Sequence, residues 1–482
     1  MSLRLVMVRP DGDSRFGTGV ADSHIGAITC DMAHNPLRLD RTLVDDPGAE
    51  PADLVAALRE LEELKNRATA LQAELSVRLD AATRRRHTDL RIPARQLGCG
   101  VANEVAIARC ESPFRGRVHL GLAKALVAEL PCTLAAMTSG ALSEEQAIII
   151  ARDTACLDPA DRAVVDRRIC GRRADGSRSF TGWGLKRLAA EVTRAVAAID
   201  PAALVERRAK AAEERHVGVR PTADAMAYLT ALLPVEQAVA AVAALKRTSA
   251  AAVADGDARS RGQVEADTLV ERLTGQAAAA AVPVEVRLVI SDQALTGGSH
   301  EPAWLTGPAG AAVGVPLTAA TARSLVAEAT ALGIAALRRV YADPAGRLVG
   351  IDSTRRRFEG GLAELIEVRD PACRTPWCDA PVRHKDHITG HAAGGPTTLA
   401  NGQGLCEQCS YAKEAPGLRS RTTDDPHGTG LHAVHITTPA GQTIHSTAPP
   451  LPIPDPLRPT EAEPRRRLDI GFLREPIQHE AA

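Results

Sequence analysis

From Pro51 onward, apolar residues recur at intervals of three, four and seven. In PADLVAALRELEELKNRATALQAELSVRLDAATRRR they fall at Leu54, Leu58, Leu61, Leu64, Leu71 and Leu75. That period predicts a long amphipathic helix, because positions three and four apart share one helical face. A second helical block is predicted over residues 101–130. Gly140 reads as a helix C-cap, and Ser143 with Gln146 has the spacing of a capping box ahead of AIIIAR. Leu185, Leu188, Val192, Val196 and Ile199 draw a further stripe, stopped at Asp200-Pro201. Several helices are therefore expected to share one core.

Near Val284 the period changes to two. Val284, Val286, Leu288 and Ile290 alternate with Glu285, Arg287 and Val289, and Gly297-Gly298 close the run, which predicts a strand. In RRVYADPAGRLVGID, Asp343-Pro344-Ala345-Gly346 separates two alternating runs and predicts a hairpin, and residues 431–445 around Pro439-Ala440-Gly441 predict another. The organisation expected is a poorly ordered N-terminus over residues 1–50, a mainly helical domain over 51–350, a compact module with a flanking hairpin over 351–447, and a Pro-rich disordered tail over 448–482. The fold class is mainly α with a small α+β part.

Composition sharpens this picture. Of 482 residues 45% are hydrophobic but only 2% aromatic, which disfavours a mainly β protein and favours helices. Lys and Arg number 58 against 59 Asp and Glu, so no whole-protein basic field exists and any nucleic-acid site must be local. The most apolar stretch, residues 277–290, is broken by Pro283, Glu285 and Arg287, short of the roughly 20 apolar residues a membrane helix needs. With no apolar run of signal-peptide length near the N-terminus, a cytoplasmic location is expected.

The cysteines change the picture most. Cys30, Cys99, Cys110, Cys132, Cys156 and Cys170 are scattered, whereas Cys373 with Cys378 and Cys406 with Cys409 form two close pairs. Two short-spaced pairs can each supply one knuckle of a closed tetrahedral site, so a structural Zn²⁺ is expected on these four thiolates. Between the pairs lies Lys385-Asp386-His387. On an extended segment adjacent side chains point to opposite faces, so Asp386 can hold a metal while His387 addresses water.

The pattern CRTPWCDAPVRHKDH, then GGPT, NGQGLCEQC and AKEAPG resembles HNH endonucleases of the ββα-metal type, in particular actinobacterial proteins with an N-terminal domain of unknown function 222 before the nuclease module. SPFRGRVHLGLAKALVAELPCTLAAMTSGALSEEQA carries a looser resemblance to that helical domain, and the likeness spans roughly residues 50–450. It implies a metal-dependent endonuclease hydrolysing DNA phosphodiesters. His387 would be the general base and Asp386 a ligand of a catalytic Mg²⁺ or Mn²⁺, while Asn401 would hold the loop that orients His387.

A helix from about Gly404 to Glu414 would carry Cys406 and Cys409, with residue 410 completing the cation site. The family usually has His or Asn there; this chain has Ser410, a weaker ligand that still leaves a Mg²⁺ site possible through water. His384 and Glu414 are the nearby candidates to compensate, and Leu418 replaces the family's common Trp. Arg355, Arg356, Arg357, Arg369, Arg374, Arg383, Lys385, Lys413, Arg419 and Arg421 surround the module and are expected to contact phosphates of duplex DNA with little sequence specificity. The rival reading is a zinc-stabilised nucleic-acid-binding protein weakened in catalysis by Ser410. A third is a zinc knuckle in a protein-interaction scaffold, under which Asp386, His387 and Asn401 would have no reason to recur together.

Overall fold

The computed structural model describes residues 2–10, 44, 46–221, 226–275, 285–306, 315–331, 335–342 and 356–451. The chain forms two compact units, one of residues 12–79 with 120–201 and one of residues 1–11, 80–119 and 202–482. Most of the described elements are helical, so the fold is mainly α with small sheets.

The first unit holds most of α1 (Pro51–Asp89) and of α3 (Pro113–Ala128), together with α4 (Pro131–Thr138), α5 (Glu144–Asp153), α6 (Pro159–Cys170) and α7 (Leu185–Ile199). The capping box of α5 forms as its spacing requires: Ser143 accepts from the Gln146 N–H, and Gln146 accepts from the Ser143 N–H. Leu188, Val192 and Val196 of α7 are buried. Helix α1 departs from expectation. Its leucine stripe is largely exposed, Leu58 at 67% and Leu71 at 56%, while Ala70 and Ala73 are buried and Asn66 donates to the Gly140 carbonyl at 2.9 Å. The spacing correctly gives the helix, but small residues and one hydrogen-bonding amide form its packing side. Asp166 of α6 caps α4, accepting from the backbone N–H groups of Cys132 and Thr133.

The second unit opens with β1 (Ser2–Pro10), inside the stretch expected to be poorly ordered. Leu3 and the run Leu5-Val6-Met7-Val8 make β1 nearly continuously apolar, the pattern of a strand paired in parallel on both edges, with β4 and β7. Residues 11–43 and 452–482 lie outside the described residues. α2 (Val101–Ala108) and α8 (Pro201–Glu213) belong to this unit's chain segments at 80–119 and from 202. They are followed by the hairpin of β2 (His216–Pro221) and β3 (Ala227–Leu232) and the helix pair α9 (Val235–Ala254) and α10 (Arg261–Thr274). The block expected over residues 101–130 is thus two helices, broken before Pro113.

Strands β4 (Glu285–Ser291), β5 (Ala303–Thr306), β6 (Val315–Leu317) and β7 (Ala335–Ala342) join β1 in one sheet of order β6-β5-β4-β1-β7, parallel at β1 with β4 and β7. α11 (Asp292–Thr296) and α12 (Ala319–Ala331) cover it around Leu288, Ile290, Ala294, Leu317 and Ala322. The first arm of the hairpin expected at Asp343–Gly346 is β7; its turn and second arm lie outside the described residues.

The C-terminal module of this unit contains α13 (Gly360–Arg369), the antiparallel pair β8 (His384–His387) and β9 (Gly402–Leu405), α14 (Glu407–Ala412), and a three-stranded sheet of β10 (Arg419–Thr423), β11 (Ala433–Thr437) and β12 (Thr443–Thr447). β11 and β12 are the predicted hairpin. Residues 402–405 are strand rather than helix, so α14 starts later than expected, with Cys406 as its N-cap. Gly404 must be glycine here, since a Cβ would lie 2.8 Å from Val382 and 3.0 Å from Asp370.

Candidate metal centre and active site

The first cysteine knuckle is folded by local backbone bonds, Cys373 N–H to the Ala380 carbonyl at 2.8 Å and Cys378 N–H to Thr375 at 3.1 Å. It closes through Trp377 and Asp379, both with positive φ (60° and 42°). The second knuckle is the start of α14, where the Cys406 sulfur accepts from the Cys409 N–H at 3.4 Å. All four sulfurs lie within 4.8 Å of one another; Cys378 is 3.7 Å from Cys406 and 3.5 Å from Cys409. Four thiolates about 2.3 Å from one zinc would be spaced about 3.8 Å apart, so the cluster fits a tetrahedral ion. The four cysteines therefore form a site that could hold a structural metal ion such as zinc.

Behind this cluster sits a buried ionic network that the sequence did not reveal. Asp370, 1% exposed, receives Arg369 at 2.8 Å and Arg374 at 3.0 Å, and the Gly404 N–H at 2.8 Å. Burial would raise its carboxyl, but the charge and hydrogen bonds of Arg369, with Arg374 and Gly404, hold it at about 2. Arg369 also donates to the carbonyls of Leu399 and Gly402, and Arg374 to Ser446 and the His432 carbonyl. These two arginines, expected to face DNA, are interior struts tying α13, β9 and β12 together.

Strand β8 carries the other chemistry. His384 and Asp386 face α14, where His384 Nδ1 lies 3.1 Å from Ser410 Oγ and Asp386 accepts from the Lys413 ammonium and, at 3.4 Å, from Gln403. Lys413 also donates to the His387 carbonyl. Asp386 and Ser410 thus have different hydrogen-bond partners, Lys413 for the carboxylate and His384 for the hydroxyl. Glu414 is exposed beyond α14. Of the other expected phosphate contacts, Lys385 pairs with Glu367, Arg355 lies outside the described residues, and Arg356, Arg357, Arg419 and Arg421 are exposed.

His387 points to the opposite face. Its ring centroid is 4.5 Å from that of Phe358, and its Nε2 lies 3.0 Å from Thr397 Oγ1. Thr397 donates onward to the Arg356 carbonyl at 3.4 Å, so Nε2–H donates to the hydroxyl and Nδ1 keeps its lone pair. Burial, reinforced by His391, Lys413 and Arg356 and opposed by Asp386, holds the imidazole below its ordinary value; it is neutral at pH 7 and able to accept a proton. Asn401 laces the intervening loop, accepting from the Thr389 N–H at 2.9 Å and donating to the carbonyls of Thr389 and Pro396. Gly395 lets that loop close, as a Cβ there would lie 1.9 Å from the Thr389 carbonyl oxygen. Thr397 and Gln403 were not singled out from the sequence. Only their places within GGPT and NGQG could have flagged them.

Fold and site together define a mainly helical protein with a four-cysteine, metal-capable ββα module near its C-terminus. The model of the family Domain of unknown function (DUF222) matches residues 55–370, and the chain belongs to that family. The match ends before Cys373, so it does not reach the four cysteines, β8, β9 or α14. No curated protein and no solved structure matches the chain. Among the described residues no single helix is long and apolar enough to cross a membrane.

Proposed function

We propose that residues 356–451 form an HNH-type nuclease module, stapled by zinc on Cys373, Cys378, Cys406 and Cys409, that hydrolyses phosphodiester bonds in DNA. The observation that carries this reading is the β8–β9–α14 frame, in which a neutral imidazole oriented by Thr397 stands on the strand face opposite Asp386. His387 Nδ1 takes a proton from the attacking water as that oxygen bonds to phosphorus, the P–O3′ bond breaks, and the departing 3′ oxygen takes a proton from solvent. Asn401 supports this step indirectly, by fixing the loop that holds Thr397.

The Mg²⁺ or Mn²⁺ that the resemblance implies would compete at Asp386 and Ser410 with Lys413, which holds the carboxylate Oδ2, and with His384, which holds the hydroxyl. A cation at Asp386 Oδ2 competes with that ammonium. That same pairing favours a second reading, a zinc-stabilised DNA-binding protein with weak catalysis. Nicking of supercoiled plasmid with added Mg²⁺ or Mn²⁺, comparing wild type with His387→Ala, separates the two. Cation-dependent nicking lost in the variant supports the nuclease, whereas retention of DNA by both proteins without nicking supports the binder.

A further inference from the structure

Two of the module's exposed arginines, Arg419 and Arg421, lie together with two histidines on one sheet face. Register pairing puts Arg421, His435 and His445 in one row across β10, β11 and β12, and Arg419, Thr437 and Thr443 in the next. Residues two apart on a strand share a face, so both rows look the same way. The other face is the packed one: Val434 is buried, Ser420, Ile436 and Ile444 line a cavity with Cys409 and Lys413, and Arg374 donates to Ser446.

On the outer face, Arg419, Arg421 and His445 are exposed, and the His435 and His445 rings meet edge-on with centroids 4.9 Å apart. The three strands contain no Asp or Glu, and neither arginine pairs with a carboxylate among the described residues. The carboxylates that follow β10 are Asp424, which is exposed, and Asp425, which is buried and bonded to Thr429 and Thr447.

We propose that the outer face of β10–β12 binds the phosphate backbone of nucleic acid, as a contact surface separate from the His387 site. It rests on the reading of the module as DNA-directed. Arg419 and Arg421, two residues apart on an extended strand, stand about 7 Å from each other, close to the spacing of successive phosphates along one strand. Each guanidinium can grip a phosphate by two parallel bonds, and the hydroxyls of Thr437 and Thr443, in the row of Arg419, add donors. Such contacts position a strand without reading its bases. His435 is held below its ordinary value by burial and by Arg421 and His445. Arg421 and His445 are the charged groups acting on it; Asp425, bonded to Thr447, lies one row further along the sheet, two residues beyond His445. A phosphate placed among them offsets that repulsion and favours protonation, so binding tightens as pH falls through the imidazole range.

The test uses the full chain with a fluorescent duplex, measuring affinity against salt and pH for wild type, Arg419→Gln/Arg421→Gln and His435→Gln/His445→Gln. These positions lie on an outer face, and a circular-dichroism melt checks that each variant folds. The arginine variant is expected to lose about tenfold in affinity, with a salt slope shallower by about 2, one phosphate contact per residue. The histidine variant is expected to lose the gain in affinity between pH 7.5 and 6. Arginine variants that bind DNA with unchanged affinity and slope would overturn the platform while leaving the nuclease reading standing. No DNA binding by the wild type would end both. Loss of polyglutamate binding with DNA affinity intact would assign the face to an acidic protein and overturn the proposal.

Discussion

The two ends of α14 present different kinds of order. At its start, Cys406 and Cys409 meet Cys373 and Cys378 with every sulfur within 4.8 Å of the others. About one turn further on, Ser410 bonds to His384 and Lys413 to Asp386, two separate pairs. Four identical soft ligands on two knuckles can satisfy one another only by converging. A carboxylate on a half-buried strand is satisfied by whichever cation is nearest, and here that cation is a lysine of the same chain.

If the converged end is the keystone, breaking it should have the largest effect. Cys406→Ser should release about one zinc per chain and unfold the module, since structural zinc binding is worth roughly 10 kcal/mol of folding free energy. Metal analysis with limited proteolysis checks this, and a protein that stays protease-resistant without zinc would remove the contrast. Next in size is the strut behind the cluster. Asp370→Asn leaves Arg369 and Arg374 buried without a counter-charge and should cost about 3–5 kcal/mol in urea unfolding. Because the folded carboxyl sits at about 2, below its ordinary value, its contribution is fully present above about pH 4 and is lost as pH falls toward 2. The variant should show a flatter stability curve across that window.

The other end of α14 should respond in the opposite direction. Lys413→Met frees Asp386 and should raise affinity for Mn²⁺ by about tenfold or more, the value of one charge-assisted hydrogen bond. Calorimetric titration measures this directly. Ser410→His should add to it if residue 410 can turn from His384 to the cation. Equal Mn²⁺ affinity in wild type and Lys413→Met would show that the ammonium does not compete, and that the two ends of the helix are less different than their contacts make them.

The sequence made the converged end legible and the dispersed end only partly so. Cysteine spacing is a geometric statement, and the cluster follows from it. The period-two run around Leu288 and the Ser143 capping box were legible for the same reason: each is a local rule that tertiary structure left intact. Arg369 and Arg374 were misread as surface charges, because burial of an arginine depends on Asp370 being delivered to it by packing, and no local pattern encodes that. The α1 leucines were misread for a related reason. A period names a helix and its faces, but the partner decides which face is covered. β1 was hidden because a parallel strand draws its partners, β4 and β7, from far along the chain.

The smallest prediction concerns the first knuckle. Trp377 holds φ at 60°, a left-handed conformation that costs an L-residue about 1–2 kcal/mol and costs glycine almost nothing. Replacing Trp377 by Ala removes the half-exposed indole but keeps the strain; replacing it by Gly removes both. The Gly variant should therefore be more stable than the Ala variant by about 1 kcal/mol in thermal unfolding, the reverse of the order these residues show in most backbone settings. The comparison must be made with zinc added, since an ion on the four sulfurs would fix the knuckle in both variants alike. An Ala variant as stable as the Gly variant would mean that the four-sulfur cluster does not impose this turn, and that its order is looser than the distances between its sulfurs imply.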